Sequence, residues 1–308
     1  ILTQVKRAFK MCLLIAVLVI ASEVGLRIYG LGQWIVYEEN SRYEYFQIAN
    51  LNFDRFGHHY STNSLGMRAS PEIDKRGIRI LKFGDSVLNG GAKVSDENNV
   101  TSLVSDSLSK LVIENTILNI SSGSWGTENA FEYLQDHKEL NPDFIVLVFS
   151  SHDYSDNMHF KNVVGNHPNW PNEQPHCAID DLWSKWLKYK LGEVFNYRFE
   201  ELHYLDNVID TGMSPGWNKF HFYAQDNDIP MLVYLHPEQE EIEKGRWKLN
   251  GQKLIRWFDE NGISYVDGLE QGYLTNSYED NIHLNAKGHK SIAQNIFPSL
   301  LNSIRSKK

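Results

Sequence analysis

Ile78-Arg79-Ile80-Leu81-Lys82-Phe83-Gly84-Asp85-Ser86 is the stretch on which the reading of the fold turns. Its first six residues alternate enough to predict a β-strand. Gly84 is expected to let the backbone turn sharply and aim Ser86 at the strand's C-terminal end, where open parallel sheets bind their ligands. Downstream, strand-like and helix-like runs alternate over 79–83, 100–111, 116–120, 128–137 and 143–149. Two further strands follow at 230–235 and 264–266, and a helix closes the chain over 286–304. Alternation of this kind implies crossover connections and a parallel sheet with helices on both faces.

The chemistry lies in two distant islands, Gly84-Asp85-Ser86 and Asp280-Asn281-Ile282-His283. A serine hydroxyl is a poor nucleophile until an imidazole takes its proton, and a carboxylate must fix that imidazole's tautomer and steady its cation. Asp280 and His283 can supply both roles from one turn, with Ser86 as nucleophile. A Gly-Asp-Ser turn also occurs where the Asp or Ser merely caps a helix. The order of the islands, Ser early after the first strand and Asp and His late before a helix, favours the catalytic reading.

Phe83-Gly84-Asp85-Ser86 resembles the first signature block of the SGNH (GDSL-type) hydrolases, and Asp280 to His289 resembles their last. Asn119 to Thr127 stands where their second block belongs, and Phe149-Ser150-Ser151-His152-Asp153 where the third does. Tyr60 to Arg68 is similar to a segment of bacterial members tethered by an N-terminal membrane helix. The resemblance implies a three-layer α/β/α sandwich with a parallel flavodoxin-like sheet, and a Ser86, Asp280, His283 triad. It also implies an oxyanion hole built from the amides of Ser86 and Ser124, with Gly123 adjacent, and from His152. Two departures stand out: Ser124 occupies the position of a glycine, and His152 that of an asparagine. A backbone N–H does not depend on its side chain, and an imidazole can also donate to a developing negative charge. Asp85 and Asp153, inside the blocks, and His236, at the end of a strand, are pocket candidates; packing explains His236 equally well.

A chain of 308 residues with net charge −9 can bury a full core and argues against nucleic acid as a partner. Cys12 and Cys177 lie far apart, so no internal disulfide is expected. His152, His159, His167 and His176 match no short metal motif, and neither a metal nor another cofactor is implied.

Residues 1–10 carry Lys6, Arg7 and Lys10 and read as a cytoplasmic flank; residues 11–31 read as a membrane anchor, apolar without interruption over 11–21. That run is shorter than the roughly 20 residues a span needs, but Glu23 and Arg27, four apart, can pair on one helix face. A signal peptide cleaved after Ala21 is the rival. The anchor places the chain in a bacterial cytoplasmic membrane as a single-pass protein, its catalytic domain on the periplasmic or extracellular side. Residues 32–77 read as an irregular, aromatic-rich lead-in wrapping that domain, which occupies 78–308.

An insertion at about 154–216 interrupts the domain with a proline-bearing excursion around 165–171 and a helical stripe of Leu182, Trp183, Trp186, Leu187 and Leu191. Such a stripe is usually core, and the insertion is expected to lie over the active-site end as a lid. These readings lead to an extracytoplasmic serine esterase or acyltransferase acting on acyl esters, foremost acetyl, of an envelope or secreted glycan. The expected partners are that substrate, the membrane and envelope polysaccharide machinery. The alternative is a non-catalytic envelope scaffold of the same fold that binds a glycan or protein. It draws on the two departures and is opposed by the intact Ser86, Asp280 and His283 set.

Overall fold

The computed structural model describes residues 2–73, 77–195, 212–272 and 275–307; the parts of the lead-in and the insertion at 74–76 and 196–211 lie outside the described residues. The N-terminal segment forms one helix, α1 (Leu2–Tyr29), well beyond the 11–21 run. At 1.5 Å per residue it is about 42 Å long, enough by length and composition to cross a membrane, and its apolar window is not buried against the rest of the protein. Arg27 Nε and Glu23 Oε1 pair at 2.6 Å.

The lead-in is more regular than its sequence suggests. It forms two antiparallel hairpins, β1 (Tyr37–Asn40) with β2 (Glu44–Gln47) and β3 (Asn52–Arg55) with β4 (His58–Ser61). Four-residue strands are too short to show a period. The second hairpin is closed by Phe56-Gly57, both with positive φ (51° and 80°), the backbone that matches the twist of paired strands. Tyr43 and Phe46 pack on Trp125 with ring centroids 5.8 and 4.7 Å apart. Gln47 Nε2 donates to Ser121 O at 2.9 Å. The buried Arg68 donates through its amide to Asn119 O at 3.2 Å and pairs with Asp96. The lead-in is thereby stitched to one end of the main sheet.

That sheet contains β5 (Ile78–Gly84), β6 (Asn115–Ser121), β7 (Phe144–Ser150), β8 (Met231–His236) and β9 (Ser264–Asp267), all parallel, in the order β6-β5-β7-β8-β9. This is the doubly wound flavodoxin-like order, and the strand limits read from the sequence hold to within one residue. The helices are α2 (Ser86–Asn89), α3 (Val100–Lys110), α4 (Thr127–Asp136), α5 (Ala178–Leu182), α6 (Lys188–Phe195), α7 (Pro215–Asp226), α8 (Gln239–Lys244), α9 (Leu249–Glu260) and α10 (Ala286–Ser306). Alternate residues of the strands serve opposite layers. Leu81, Phe83, Leu147 and Phe149 pack with Trp217, Phe220 and Phe258 from α7 and α9. Ile80, Val146 and Val148 pack with Val104 and Leu108 of α3 and Ile292 and Ile296 of α10. Each such side chain contributes about 1.5–3 kcal/mol when fully buried.

The stripe expected to be core is not core. α5 and α6 are joined by a π-helical turn, Trp183–Leu187, and Trp183, Trp186, Leu187 and Leu191 are exposed. The face that anchors this helix is the polar one: Asp181 Oδ2 accepts from Gly32 N at 2.8 Å and from Arg55 Nη1 at 2.6 Å.

Candidate active site

The end of β5 presents Ser86 for a packing reason rather than a torsional one. Gly84 is not in the left-handed region, correcting the expectation of a turn that needs glycine's freedom. A Cβ at Gly84 would stand 2.7 Å from both Val148 O and Leu88 Cβ, so only a bare backbone lets α2 lie this close to β7. Asp85 caps α2 by accepting from Val87 N at 2.8 Å. Ser86 becomes its first residue, whose amide has no acceptor within the helix.

Asp280 folds its own turn: Oδ1 accepts from the amides of Ile282 at 3.1 Å and His283 at 2.8 Å. That brings the two side chains together. His283 Nδ1 lies 2.9 and 2.8 Å from Asp280 Oδ1 and Oδ2, and Nε2 lies 2.8 Å from Ser86 Oγ. The partners assign the tautomer: Nδ1–H donates to the carboxylate, leaving Nε2 to accept the serine proton. Partial burial works against ionisation of Asp280, but the His283 and Ile282 amides and the His283 ring outweigh it and hold this carboxyl well below its ordinary value.

His236 is fully buried beneath this turn rather than lining the pocket, a correction to its place among the pocket candidates. Burial pulls it down to about 4 and keeps it neutral, and its Nε2 donates to Ile282 O at 3.0 Å. It pins the carbonyl one residue before His283. Ser124 adopts φ 57°, backbone that glycine takes without strain, which explains the glycine usual at this position. Tyr45 Oη donates to Gly123 O at 2.9 Å and to Ser124 O at 3.3 Å. Both carbonyls are thus engaged, and among the described residues the Ser124 amide has no protein acceptor. Ser86 and Ser124 both line the pocket; Gly123 does not.

The sequence profile of GDSL-like lipase/acylhydrolases matches residues 80–296, more than two thirds of the chain. The chain belongs to the GDSL-like lipase/acylhydrolase family. No curated protein sequence matches it. Among solved structures it is similar to a lipase/acylhydrolase from Enterococcus faecalis, at 13% identity over 72% of this chain and 95% of that one with a TM-score of 0.45. It is also similar to the psychrotrophic esterase of a Pseudoalteromonas species, at 10% identity over 74% and 98% with a TM-score of 0.43. An acetyl xylan esterase from Geobacillus stearothermophilus aligns at 12% identity over 72% and 94%, with a TM-score of 0.38.

Where such a GDSL-type chain usually has asparagine, His152 stands in the turn after β7, half exposed to the pocket and ringed by carboxylates. Its Nε2 lies 3.8 Å from Asp85 Oδ2 and 3.6 Å from Asp153 Oδ1, and its Nδ1 lies 3.5 Å from Glu238 Oε1. Burial lowers the ring's pKa, but Asp153, Glu238 and Asp85 outweigh that and raise it to about 10, so the ring is an imidazolium at neutral pH. With 44% of the side chain exposed, water in the pocket softens the carboxylates' pull without reversing it. Burial in turn pushes Asp85 up to about 7, with Asp153 adding to the shift, and pushes Asp153 up to about 7. Asp153 itself is buried below the pocket floor, its Oδ2 accepting from Ser150 N at 2.7 Å; it positions His152 instead of lining the pocket. Asp85, His152 and Asp153 each place one potential ligand atom within 4.8 Å of the others, the one metal-like set among the described residues. The charge that a cation would supply there is already carried by the ring.

The pocket of about 540 Å³ contains Ser86, Ser124, His152 and His283. The first part of the insertion supplies much of its wall, including Asp156, His159, Lys161 and Trp170, and Trp170 packs on Tyr45 at 5.7 Å. Glu44 latches this wall, accepting from the amides of His159 and Phe160 at 2.6 Å each. Sequence reading missed Glu44, Asp156 and Glu238. Only Glu238 carried a signal, standing two residues past His236 at a strand end.

Proposed function

We propose that this family member is a serine esterase or acyltransferase that carries a small acyl group, acetyl foremost, on Ser86. The observation that carries this reading is the 2.8 Å contact of His283 Nε2 with Ser86 Oγ, with Asp280 on the opposite ring nitrogen. Ser86 Oγ attacks the acyl carbonyl as His283 takes its proton. The amides of Ser86 and Ser124 and the His152 imidazolium face the growing negative charge, and three donors of that kind are worth far more in a partly dry site than in water. Collapse expels the alcohol, which leaves with the proton held by His283. Water or a sugar hydroxyl then gives its proton to His283 and resolves the acyl-serine. Asp280 holds the ring in one tautomer throughout.

A polyhydroxylated acceptor is supported by the pocket wall. Tyr45 and Trp170 back the wall with their rings almost wholly buried, and Asp156, Lys161 and Asn250 offer hydrogen-bonding groups. That mixture suits a glycan better than a fatty chain. The length and composition of α1 and the basic residues at its start support a single membrane span with the catalytic domain outside the cytoplasm. Envelope or secreted polysaccharide is then the accessible ester.

A fluorophosphonate probe tests the central claim. Wild type should label and Ser86→Ala should not, while an unlabelled wild type of intact fold would make the chain a binding scaffold. A panel of p-nitrophenyl acetate, butyrate and octanoate should rank acetate first. A periplasm-dependent reporter fused after Lys308 should be active, and an N-terminus found trimmed after Ala21 would replace the anchor with a signal peptide.

A further inference from the structure

The helix running through α5, the π-turn and α6 is amphipathic the wrong way round for a helix bathed in water. Its inward side holds Ala178 and Asp181, both fully buried, and Lys185, whose ammonium bonds Pro168 O and lies 5.0 Å from the Trp34 ring centre. Its outward side holds Trp183 (50% exposed), Trp186 (54%), Leu187, Leu191 and Val194 (76%). At about 100° per residue these five fall within an arc of roughly 140°, opposite the anchored residues. A soluble surface helix buries its apolar stripe; this one exposes it, with the exposed Lys190 and the half-buried Asp180 in the same arc, and buries Asp181.

What lies outside it is indicated by where its first turn is fixed. Glu23 of α1 accepts from the amides of Ala178 at 2.9 Å and Ile179 at 3.1 Å, so α1 itself caps the start of α5. Glu23 stands two residues beyond the apolar run that ends at Ala21, about 3 Å along the helix axis. The start of α5 is therefore held just past the domain-side end of that apolar run. Exposed aromatics lie further along: Tyr29, about 9 Å beyond Glu23 on the α1 axis, meets Phe56 edge-to-face at 5.7 Å. Tryptophan and tyrosine are the side chains enriched where headgroups meet acyl chains, because one end of each is apolar and the other polar.

We propose that the outward face of the α5–α6 helix, with Trp183, Trp186, Leu187, Leu191 and Val194, seats in the headgroup region of the same bilayer that α1 crosses. This rests on the membrane-span reading above and adds a second, peripheral contact. The domain is then held at two places rather than swinging on a single tether, and a restrained domain presents its pocket to the membrane surface in one orientation. Lys185, bonded to Pro168 O, ties the seated helix to the loop that brings Trp170 into the pocket wall.

The test uses the full chain with Cys12→Ser and Cys177→Ser, reconstituted in phosphatidylcholine–phosphatidylglycerol vesicles. A bimane label is placed separately through Leu187→Cys, Ile15→Cys and Val112→Cys, the last in a fully exposed turn of the domain. Quenching is read with shallow and deep doxyl lipids and with aqueous iodide. The label at 187 should be quenched more by shallow than by deep doxyl, and at least threefold less by iodide than the label at 112. Adding Trp183→Ser and Trp186→Ser should raise its iodide quenching toward that of the 112 label. Equal iodide quenching at 187 and 112, with the label at 15 quenched by deep doxyl, would overturn the seat while leaving the span intact. Shielding of the 187 label from both iodide and doxyl would also overturn it, giving the face to a second protein surface. Iodide quenching at 15 without doxyl quenching would remove the span itself.

Discussion

Replacing His152 separates its charge from its hydrogen bonding. Losing one preorganised donor to an oxyanion lowers kcat by about 10² to 10³. In this site three carboxylates 3.5 to 3.8 Å away draw on the same imidazolium, and 44% of the side chain is exposed. Both features weaken its hold on a passing negative charge, so the expected loss for His152→Ala is at the lower end, about 10², with little change in KM because the interaction matures in the transition state. His152→Asn restores a neutral donor and should recover about tenfold. The pH profile carries the sign. The ring is raised to about 10, its protonated form is the useful one, and activity is therefore present below that value and lost as pH rises through it. Wild-type kcat for p-nitrophenyl acetate, corrected for spontaneous hydrolysis, should fall between about pH 9 and 10.5. His152→Asn should lack that limb. If His152→Ala stays within threefold of wild type, or the alkaline limb survives in His152→Asn, the imidazolium takes no part and the hole consists of backbone amides alone.

Ser86→Ala, Asp280→Asn and His283→Ala should each lower ester turnover by about a thousandfold or more with unchanged circular dichroism; a triple variant far worse than Ser86→Ala would show that they do not act as one unit. Ser124→Gly relieves a left-handed serine at φ 57°, worth about 1–2 kcal/mol of strain less the extra entropy of glycine. The melting temperature should rise by about 1–4 °C with kcat within twofold, and a large loss of kcat would mean that the hydroxyl rather than the amide serves the hole. Lys82 is fully buried in β5 and desolvation pulls it down to about 7. The unfolded chain then holds its proton more tightly than the folded one, so the penalty is full below pH 7 and fades as pH climbs toward 10.5. Lys82→Met should stabilise by about 1–4 kcal/mol at pH 6 and by much less at pH 10, as read by urea unfolding; a gain independent of pH would refute the buried charge.

The parts of this protein legible along the chain are those whose physics is local. The strand over 144–150 is apolar and β-branched up to its last residue, and that over 78–84 is so apart from Arg79 and Lys82; burial of both sheet faces favours that composition in a parallel sheet. Asp280 and His283 are also local, since the carboxylate folds its own turn around the amide of His283. The rest of the charge around His152 is not: beyond its chain neighbour Asp153, Asp85 comes from the end of β5 and Glu238 from the start of α8, places joined only by sheet order. The lead-in hairpins escaped notice because four-residue strands carry no measurable period.

The stripe at Trp183, Trp186, Leu187 and Leu191 shows the limit most plainly. Periodicity establishes that a helix has an apolar face, and that much was in the sequence by itself. Which way the face turns was decided by Glu23, Arg55 and Gly32, which grip the first turns of the helix by their opposite side. Hydrogen bonds and ion pairs between segments some 125 to 155 residues apart leave no local pattern, because neither partner's neighbours need to differ from those of any other surface turn.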